Sequence, residues 1–141
     1  MNTFKILLVE DDLLFRTMLE DHLSQNPEYD VMMVSCGEEC IANLEVEPHL
    51  IIMDYNMDSF NRQAANGLTT LKIIKRLKPN IPVIMLSGED DTSTLAKVLY
   101  SGAYNYVVKG DDAFDKVSTI IEEMRRETNI EADFRENFGI K

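Results

Sequence analysis

Short apolar segments alternate with longer segments of helical periodicity along the chain, and this alternation restricts the fold more than any other feature. Parallel strands that helices cover on both faces are near-continuous apolar runs, and the segments connecting them are helical. Runs of this kind occupy residues 5–9, 30–34, 50–53, 82–86 and 105–108. We therefore predict an α/β domain with a doubly wound sheet of five parallel strands, each covered on both faces.

The connecting segments carry the apolar residues that would face this sheet. Their spacing predicts four helices, with stripes formed by Leu14, Met18, Leu19 and Leu23, by Ile41 and Leu44, by Leu68, Leu71, Ile74 and Leu77, and by Leu95, Val98 and Leu99. A fifth helix should follow the last strand, with Asp111 and Asp112 as caps and Phe114, Val117, Ile121 and Met124 as its buried stripe.

Length and charge limit the possible functions. At 141 residues the chain fits one compact domain, and a formal net charge of −11 opposes the neutralisation of phosphates that nucleic-acid binding requires. No apolar run is long enough to span a membrane, and the N-terminus lacks the basic start of a signal peptide. We therefore expect a cytoplasmic protein that binds neither nucleic acid nor membrane directly.

Two segments depart from the alternation. Residues 58–66 form a polar run too long for a tight loop, which predicts a surface excursion. From Thr128 onward, Ile130, Phe134 and Phe138 recur four apart, so the tail either extends the fifth helix or forms a separate amphipathic helix. We assign residues 1–127 to the domain and residues 128–141 to a helical extension or linker.

The two cysteines, Cys36 and Cys40, lie four residues apart in a segment that looks helical. Two thiolates on the same face of a helix could bind one metal ion. His22 and His49 lie far away in sequence, and there is no second cysteine pair. We therefore interpret both cysteines as reduced, structural thiols.

Acidic residues follow two of the predicted strands. In an open parallel sheet the chain usually winds in one direction and returns to the other side of the first strand, so the first and third strands become neighbours. Glu10, Asp11 and Asp12 end the first strand and Asp54 ends the third. Carboxylates brought so close repel one another unless a cation lies among them, and Mg²⁺ prefers such oxygen ligands.

The remaining strand ends add a hydroxyl and an ammonium group. Ser87 follows the fourth strand and Lys109 follows the fifth. Each acidic or polar group has an ordinary structural explanation on its own, as a helix cap, a turn residue or a solvated lysine. Together, at the ends of four strands of one sheet, they indicate phosphoryl chemistry.

Four segments carry a specific family resemblance. Residues 5–12 (KILLVEDD), 51–57 (IIMDYNM), 82–88 (PVIMLSG) and 102–109 (GAYNYVVK) resemble the receiver domains of two-component response regulators, and the likeness runs from about residue 4 to residue 126. The resemblance implies a flavodoxin-like sheet with strand order 2-1-3-4-5 and helices on both faces. It also implies a phosphorylation-dependent signalling module and not an enzyme.

The resemblance implies roles for individual residues. Asp54 would be the phosphoacceptor. Mg²⁺ would be bound by Asp11, Asp54 and the backbone carbonyl of Asn56, with Glu10 acting mainly through water. Ser87 would sense the phosphoryl group, Lys109 would pair with its charge, Tyr106 would swing inward on activation, and Asn56 and Glu89 would set the lifetime of the phosphate.

Partners follow from the same resemblance. A sensor histidine kinase or a phosphotransfer protein would supply the phosphoryl group. The surface formed by the fourth helix, fifth strand and fifth helix would regulate a downstream protein, and activation could produce a homodimer.

The sequence departs from the family pattern at two places. Gly110 and Asp58 stand where receivers usually carry proline, and the run from Asp58 to Asn66 is longer than usual. We expect a more mobile loop after Lys109 and an insertion beside the active site that selects the kinase or tunes dephosphorylation. The departure at Gly110 keeps a binding-only pseudo-receiver open as an alternative.

Two enzymatic or binding alternatives are less favoured. Phosphatases of the haloacid dehalogenase type also use a strand-end aspartate with Mg²⁺, but they need a second aspartate two residues later, where this chain has Asn56. Nucleotide or flavin binding by a related fold would require a glycine-rich phosphate loop, and the sequence contains none.

Overall fold

Five parallel strands and the helices that connect them make up the part of the chain that the computed structural model describes, which is residues 3–57, 66–88 and 92–139. The strands are β1 (Phe4–Val9), β2 (Tyr29–Val34), β3 (Leu50–Asp54), β4 (Val83–Ser87) and β5 (Asn105–Val108). The helices are α1 (Leu13–Ser24), α2 (Gly37–Ala42), α3 (Gly67–Leu77), α4 (Thr92–Tyr100) and α5 (Ala113–Phe138), with a 3₁₀ turn at Leu44–Val46.

The strand order is β2-β1-β3-β4-β5, and every neighbouring pair is parallel. This confirms the predicted doubly wound, flavodoxin-like α/β fold. The pairing of β1 with β3 decides where the site forms, because its register sets Val9 opposite Met53. Glu10 and Asp54, the next residue on each strand path, therefore emerge side by side at the carboxyl edge of the sheet.

Alternate residues of each central strand enter two cores on opposite faces of the sheet. Ile6 and Leu8 of β1 belong to the core beneath α1 and α5, whereas Leu7 and Val9 belong to the core beneath α2, α3 and α4. Both cores are closed to solvent, since β3 and β4 are buried along their whole length. The site at the carboxyl edge therefore rests on a rigid support.

β2 corrects the expectation that helices cover every strand on both faces. Met32 and Met33 point to opposite faces of the sheet, yet they are 41% and 42% exposed. The reason is the position of β2 at the edge of the sheet, where only β1 flanks it and the helices reach it incompletely.

The predicted apolar stripe of α1 was partly wrong. Leu19 and Leu23 are buried, but Leu14 and Met18 are 70% and 50% exposed. At roughly 100° per residue, positions five apart on a helix differ by about 140°, so Leu14 cannot share the buried face of Leu19. Leu77 in α3 and Leu99 in α4 are exposed in the same way, because each helix buries only one narrow face.

α5 is one continuous helix from Ala113 to Phe138, so the tail extends the fifth helix. Its first half is held by Val117, Ile121 and Met124 in the core, whereas residues 127–139 are exposed. Asp112 occupies the N-cap position, but its side chain accepts no capping hydrogen bond and instead pairs with Lys116 at 3.2 Å. Among the helices described, none combines the length and apolar character needed to cross a membrane.

Candidate functional site

Three carboxylates meet at the carboxyl edge of the sheet. One oxygen from each of Glu10, Asp11 and Asp54 lies within 4.8 Å of the others. The adjacent strands β1 and β3 bring these residues together, as expected from their strand order. Asp12, the next residue, has a separate structural role, because its Oδ1 accepts hydrogen bonds from the backbone N–H groups of Leu14 and Phe15 and caps α1.

Lys109 reaches into this cluster from the end of β5. Its Nζ donates to Glu10 Oε1 at 2.9 Å and lies 3.3 Å from Asp54 Oδ2. The backbone N–H of Lys109 also donates to the carbonyl oxygen of Ser87 at 2.7 Å, which fixes the loop after β5 against the end of β4. The side chain of Lys109 is 20% exposed, so its ion pairs are only partly screened by water.

The Asp54 side chain has a fixed orientation. Its Oδ1 accepts a hydrogen bond from the backbone N–H of Asn56 at 3.1 Å, while Oδ2 faces Lys109. The residue is only 3% exposed. A carboxylate held at both oxygens has lost most of its rotational freedom before any reaction partner arrives.

Gly67 allows α3 to begin against the segment that carries Asp54. A Cβ at this position would lie 2.5 Å from the Asp54 carbonyl oxygen and 2.7 Å from the Tyr55 Cα. The Gly67 N–H also donates to the Tyr55 carbonyl oxygen at 3.1 Å. Only glycine permits this approach without moving the backbone. The sequence signal for it was a glycine directly after Asn66, whose side chain caps α3.

Burial disfavours ionisation of Glu10 and Asp54. Desolvation, followed by the nearby charge of Asp54, raises the pKa of Glu10 to about 7, against hydrogen bonding from Lys109 that lowers it. Desolvation also raises the pKa of Asp54, although Lys109 and the Asn56 N–H oppose this shift. Two buried carboxylates sharing one lysine are therefore short of positive charge.

Lys109 responds in the opposite sense. Burial alone would lower the pKa of its ammonium group, but the hydrogen bond to Glu10 and the charge of Asp54 together raise it. The lysine therefore remains charged throughout the physiological pH range. It supplies one positive charge to a site with three carboxylates.

The residues present fit a hard divalent cation. The donor set consists entirely of carboxylate oxygens, which are the ligands that Mg²⁺ and Ca²⁺ prefer. Glu10 Oε2 is buried and has no hydrogen-bond partner within the described part of the chain. An unpaired buried carboxylate oxygen is costly, and a bound cation or its water would satisfy it.

The other predicted site residues are Ser87, Tyr106, Asn56 and Glu89. Ser87 is fully buried at the end of β4 and pairs in register with Val108. Its carbonyl oxygen accepts a hydrogen bond from the backbone N–H of Lys109. Tyr106 is half-buried in β5, opposite Met85, and packs against the core beneath α4. Asn56 contacts Asp54 through its backbone. Glu89 and residues 58–65 of the predicted insertion lie outside the described residues.

Two residues of α1 contact the site and were not anticipated. Lys109 Nζ lies 4.6 Å from the centroid of the Phe15 ring. Arg16 Nη1 donates to Ser35 Oγ at 2.8 Å and approaches the Glu10 carbonyl oxygen at 3.4 Å, which links the ends of β1 and β2. The helical pattern from the Asp12 cap could have indicated that Phe15 faces inward, but not that a lysine from β5 lies on its ring.

The cysteines take no part in this site. Cys36 is the N-cap residue of α2 and Cys40 is buried in the core, and both are free thiols. Burial raises the pKa of Cys40 to about 12, so its thiol stays protonated. Within the described ranges, the acidic cluster is the only group of residues arranged to hold a metal, and it includes neither cysteine.

Comparison with known proteins agrees with this fold and identifies the family. The sequence model of the family described as the response regulator receiver domain matches residues 6–121. The chain therefore belongs to the response regulator receiver domain family. A receiver domain protein of Methanospirillum hungatei, described as CheY-like, superposes with a TM-score of 0.75 at 23% identity and covers 90% of this chain and 98% of its own.

Curated relatives carry the same domain within longer proteins. A protein-glutamate methylesterase/protein-glutamine glutaminase of Carboxydothermus hydrogenoformans is 31% identical over 96% of this chain and 38% of its own length. A transcriptional regulatory protein of Brevibacillus brevis, DegU, is 34% identical over 79% of this chain and 46% of its own length. The chain thus spans less than half the length of either relative.

Proposed function

We propose that this receiver domain is a phosphorylation-dependent switch that accepts a phosphoryl group on Asp54 in a Mg²⁺-dependent reaction. A histidine kinase or a histidine phosphotransfer protein would be the donor. The observation that carries the proposal is the position of the Asp54 carboxylate, buried and oriented 3.3 Å from Lys109 Nζ beside Glu10 and Asp11.

In the proposed reaction an Asp54 carboxylate oxygen bonds to phosphorus as the donor's phosphorus–nitrogen bond breaks. The imidazole leaves with that electron pair. Phosphoryl transfer requires chiefly alignment and stabilisation of charge on the equatorial oxygens, and little further covalent chemistry. The Asn56 N–H and Lys109 hold Asp54 in place, and the Lys109 ammonium lies where it can pair with an incoming phosphoryl oxygen.

Glu10, Asp11 and Asp54, with the backbone carbonyl of Asn56, would hold Mg²⁺. When bound, this ion supplies positive charge that offsets both the carboxylates and the phosphoryl group. The unpaired Oε2 of buried Glu10 and the raised pKa of that residue support a cation here, because both reflect a deficit of positive charge.

Phosphorylation would reach the rest of the molecule through the ends of β4 and β5. The backbone N–H of Lys109 already donates a hydrogen bond to the Ser87 carbonyl oxygen at 2.7 Å. A phosphoryl group that contacts both side chains would therefore move the ends of β4 and β5 together. Tyr106 lies three residues before Lys109 and is half-buried, which suits the proposed inward movement on activation.

The surface of α4, β5 and α5 would then contact a downstream protein. Leu99 and Tyr100 at the end of α4 are 44% and 92% exposed, and Tyr104 just before β5 is 39% exposed, so this region offers the apolar and aromatic side chains that partner interfaces use. The net charge of −11 supports a protein partner over direct contact with nucleic acid. A homodimer formed on activation would use the same surface.

Intact mass after incubation with acetyl phosphate tests the proposal directly. We expect one added phosphoryl group on the wild type with Mg²⁺, none after chelation, and none on the Asp54→Asn variant. An adduct that persists in Asp54→Asn would refute the assignment of the site. A binding-only pseudo-receiver would show no adduct in any sample. An aspartate-nucleophile phosphatase would hydrolyse a phosphate monoester with repeated turnover, whereas a receiver domain would leave the monoester intact.

A further inference from the structure

We propose that Phe15 is a positioning residue for Lys109, whose ammonium group its ring face holds over the acidic cluster. This inference rests on the proposed phosphoryl-acceptor function. Nζ of Lys109 lies 4.6 Å from the Phe15 ring centroid, 2.9 Å from Glu10 Oε1 and 3.3 Å from Asp54 Oδ2. The ring and the two carboxylates therefore enclose the ammonium group from different elements of the fold.

The contact distance suits a cation–π interaction. An ammonium group within about 6 Å of an aromatic centroid is attracted by the negative face of the ring, and the attraction strengthens as water is excluded. The Lys109 side chain is only 20% exposed. A lysine side chain has four flexible carbons, so a contact that restricts the ammonium group keeps it from turning outward into solvent.

A neutral ring has an advantage over another carboxylate at this position. Three carboxylates already lie in the cluster, and a further negative charge would repel an incoming phosphoryl group. The ring attracts the cation without adding net charge. It also requires no particular N–H direction, so Lys109 can exchange a carboxylate oxygen for a phosphoryl oxygen while remaining on the ring.

Phe15 is itself held in place. Its backbone N–H donates to Asp12 Oδ1 at 3.2 Å, which fixes it in the first turn of α1 directly after the acidic residues. Its ring packs edge-on against Phe114 of α5, with centroids 5.4 Å apart and an interplanar angle of 65°. The Phe15 ring is therefore oriented by α1 and α5 independently of Lys109.

Simple core packing is the competing explanation, because Phe15 also contacts the core beneath α1 and α5. Ring fluorination separates the two. Replacing Phe15 with 4-fluoro-, 3,5-difluoro- and 3,4,5-trifluorophenylalanine withdraws electron density from the ring face in steps and changes ring volume little. A packing role is nearly insensitive to this series, whereas a cation–π role weakens with each step.

We would measure the order parameter of the Lys109 ammonium group by NMR and the phosphorylation rate with acetyl phosphate and Mg²⁺. Both should fall stepwise along the series, the rate by roughly three- to tenfold at the trifluoro stage. Phe15→Tyr should keep the wild-type order parameter and phosphorylation rate, whereas Phe15→Leu should lower both. Phe4 is the matched control, because its ring meets a different cation, Arg125, at 5.1 Å.

The two readouts separate failure of this inference from failure of the proposed function. If the wild type is phosphorylated, but neither the order parameter of the Lys109 ammonium group nor the phosphorylation rate changes across the Phe15 series, the inference is wrong and the proposed function stands. If the wild type takes up no phosphoryl group, the function is wrong, and Lys109 order alone still decides whether Phe15 holds the ammonium group. An equal response to fluorination at Phe4 would also overturn the inference.

Discussion

Glu10 and Lys109 are 99 residues apart in the chain, yet their side chains are joined by a 2.9 Å hydrogen bond that is also an ion pair. Glu10 is fully buried. Breaking a buried pair by removing one partner is far more costly than the pair's net contribution to stability, because the remaining charge stays buried. The contact therefore makes both the stability and the chemistry of the site sensitive to single substitutions.

Replacing Lys109 with methionine should lower the phosphorylation rate by roughly 10²- to 10³-fold, because the charge aimed at the phosphoryl oxygens is lost. Asp54 should remain the site of modification. The rate is measured by intact mass over time with acetyl phosphate and Mg²⁺. Lys116→Met is the control, since Lys116 pairs with Asp112 in an exposed ion pair at 3.2 Å. Equal rates for the two variants would contradict the role given to Lys109.

Without a metal, the protein should become less stable as the pH rises through the range 4.5 to about 7. Over this range the folded state, in which the pKa of Glu10 is raised from 4.5 to about 7, binds more protons than the unfolded state. The free energy of unfolding should therefore fall with rising pH, by at most about 1.4 kcal/mol per unit from this residue. Urea denaturation in chelator across this range measures the slope.

Mg²⁺ should offset the loss of stability that ionisation of Glu10 causes. Its stabilising effect should be larger at about pH 8 than at about pH 6, because at the lower pH the ion competes with a proton on Glu10. Glu10→Gln removes the titrating group and should flatten the metal-free slope. A slope as steep in Glu10→Gln as in the wild type would mean that other residues cause it.

Gly67→Ala should destabilise the fold by about 1–3 kcal/mol, because the added Cβ would overlap backbone atoms that cannot rotate away. The nearest is the Asp54 carbonyl oxygen at 2.5 Å, so phosphorylation should slow as well. Urea denaturation gives the change in stability. Gly88→Ala is the matched control, since a Cβ there would meet nothing within 4 Å, and its stability should stay within about 1 kcal/mol of the wild type.

Ending the chain after Thr128 should leave the fold intact, which tests the domain boundary proposed near residue 127. The residues of α5 beyond this point are exposed, including Ile130 at 63% and Phe138 at 67%. Their removal takes little area out of the core, so the unfolding free energy should change by less than about 1 kcal/mol. Ending the chain before Met124, which is buried, should instead destabilise it strongly. Similar losses for both truncations would place the boundary elsewhere.

The fold and the acidic cluster could be predicted from the sequence because the signals for the strands and for the residues that end them are local. Leu50 to Met53 is continuously apolar, which predicts a strand buried on both faces, and the residue that follows it was expected at the edge of the sheet. The usual winding of an open parallel sheet, in one direction and then back to the other side of the first strand, predicted that the ends of the first and third strands would meet. Glu10, Asp11 and Asp54 were found in this way.

Other features depend on distances between elements that no local pattern contains. Met32 and Met33 lie in an apolar run typical of a buried strand, and the position of β2 at the edge of the sheet exposes them. The contact of Phe15 with Lys109 requires the packing of α1 against α5, and the need for glycine at position 67 arises from how closely α3 approaches β3. Hydrophobic periodicity determines which residues are buried within one element, whereas contacts between distant side chains depend on how the elements pack together.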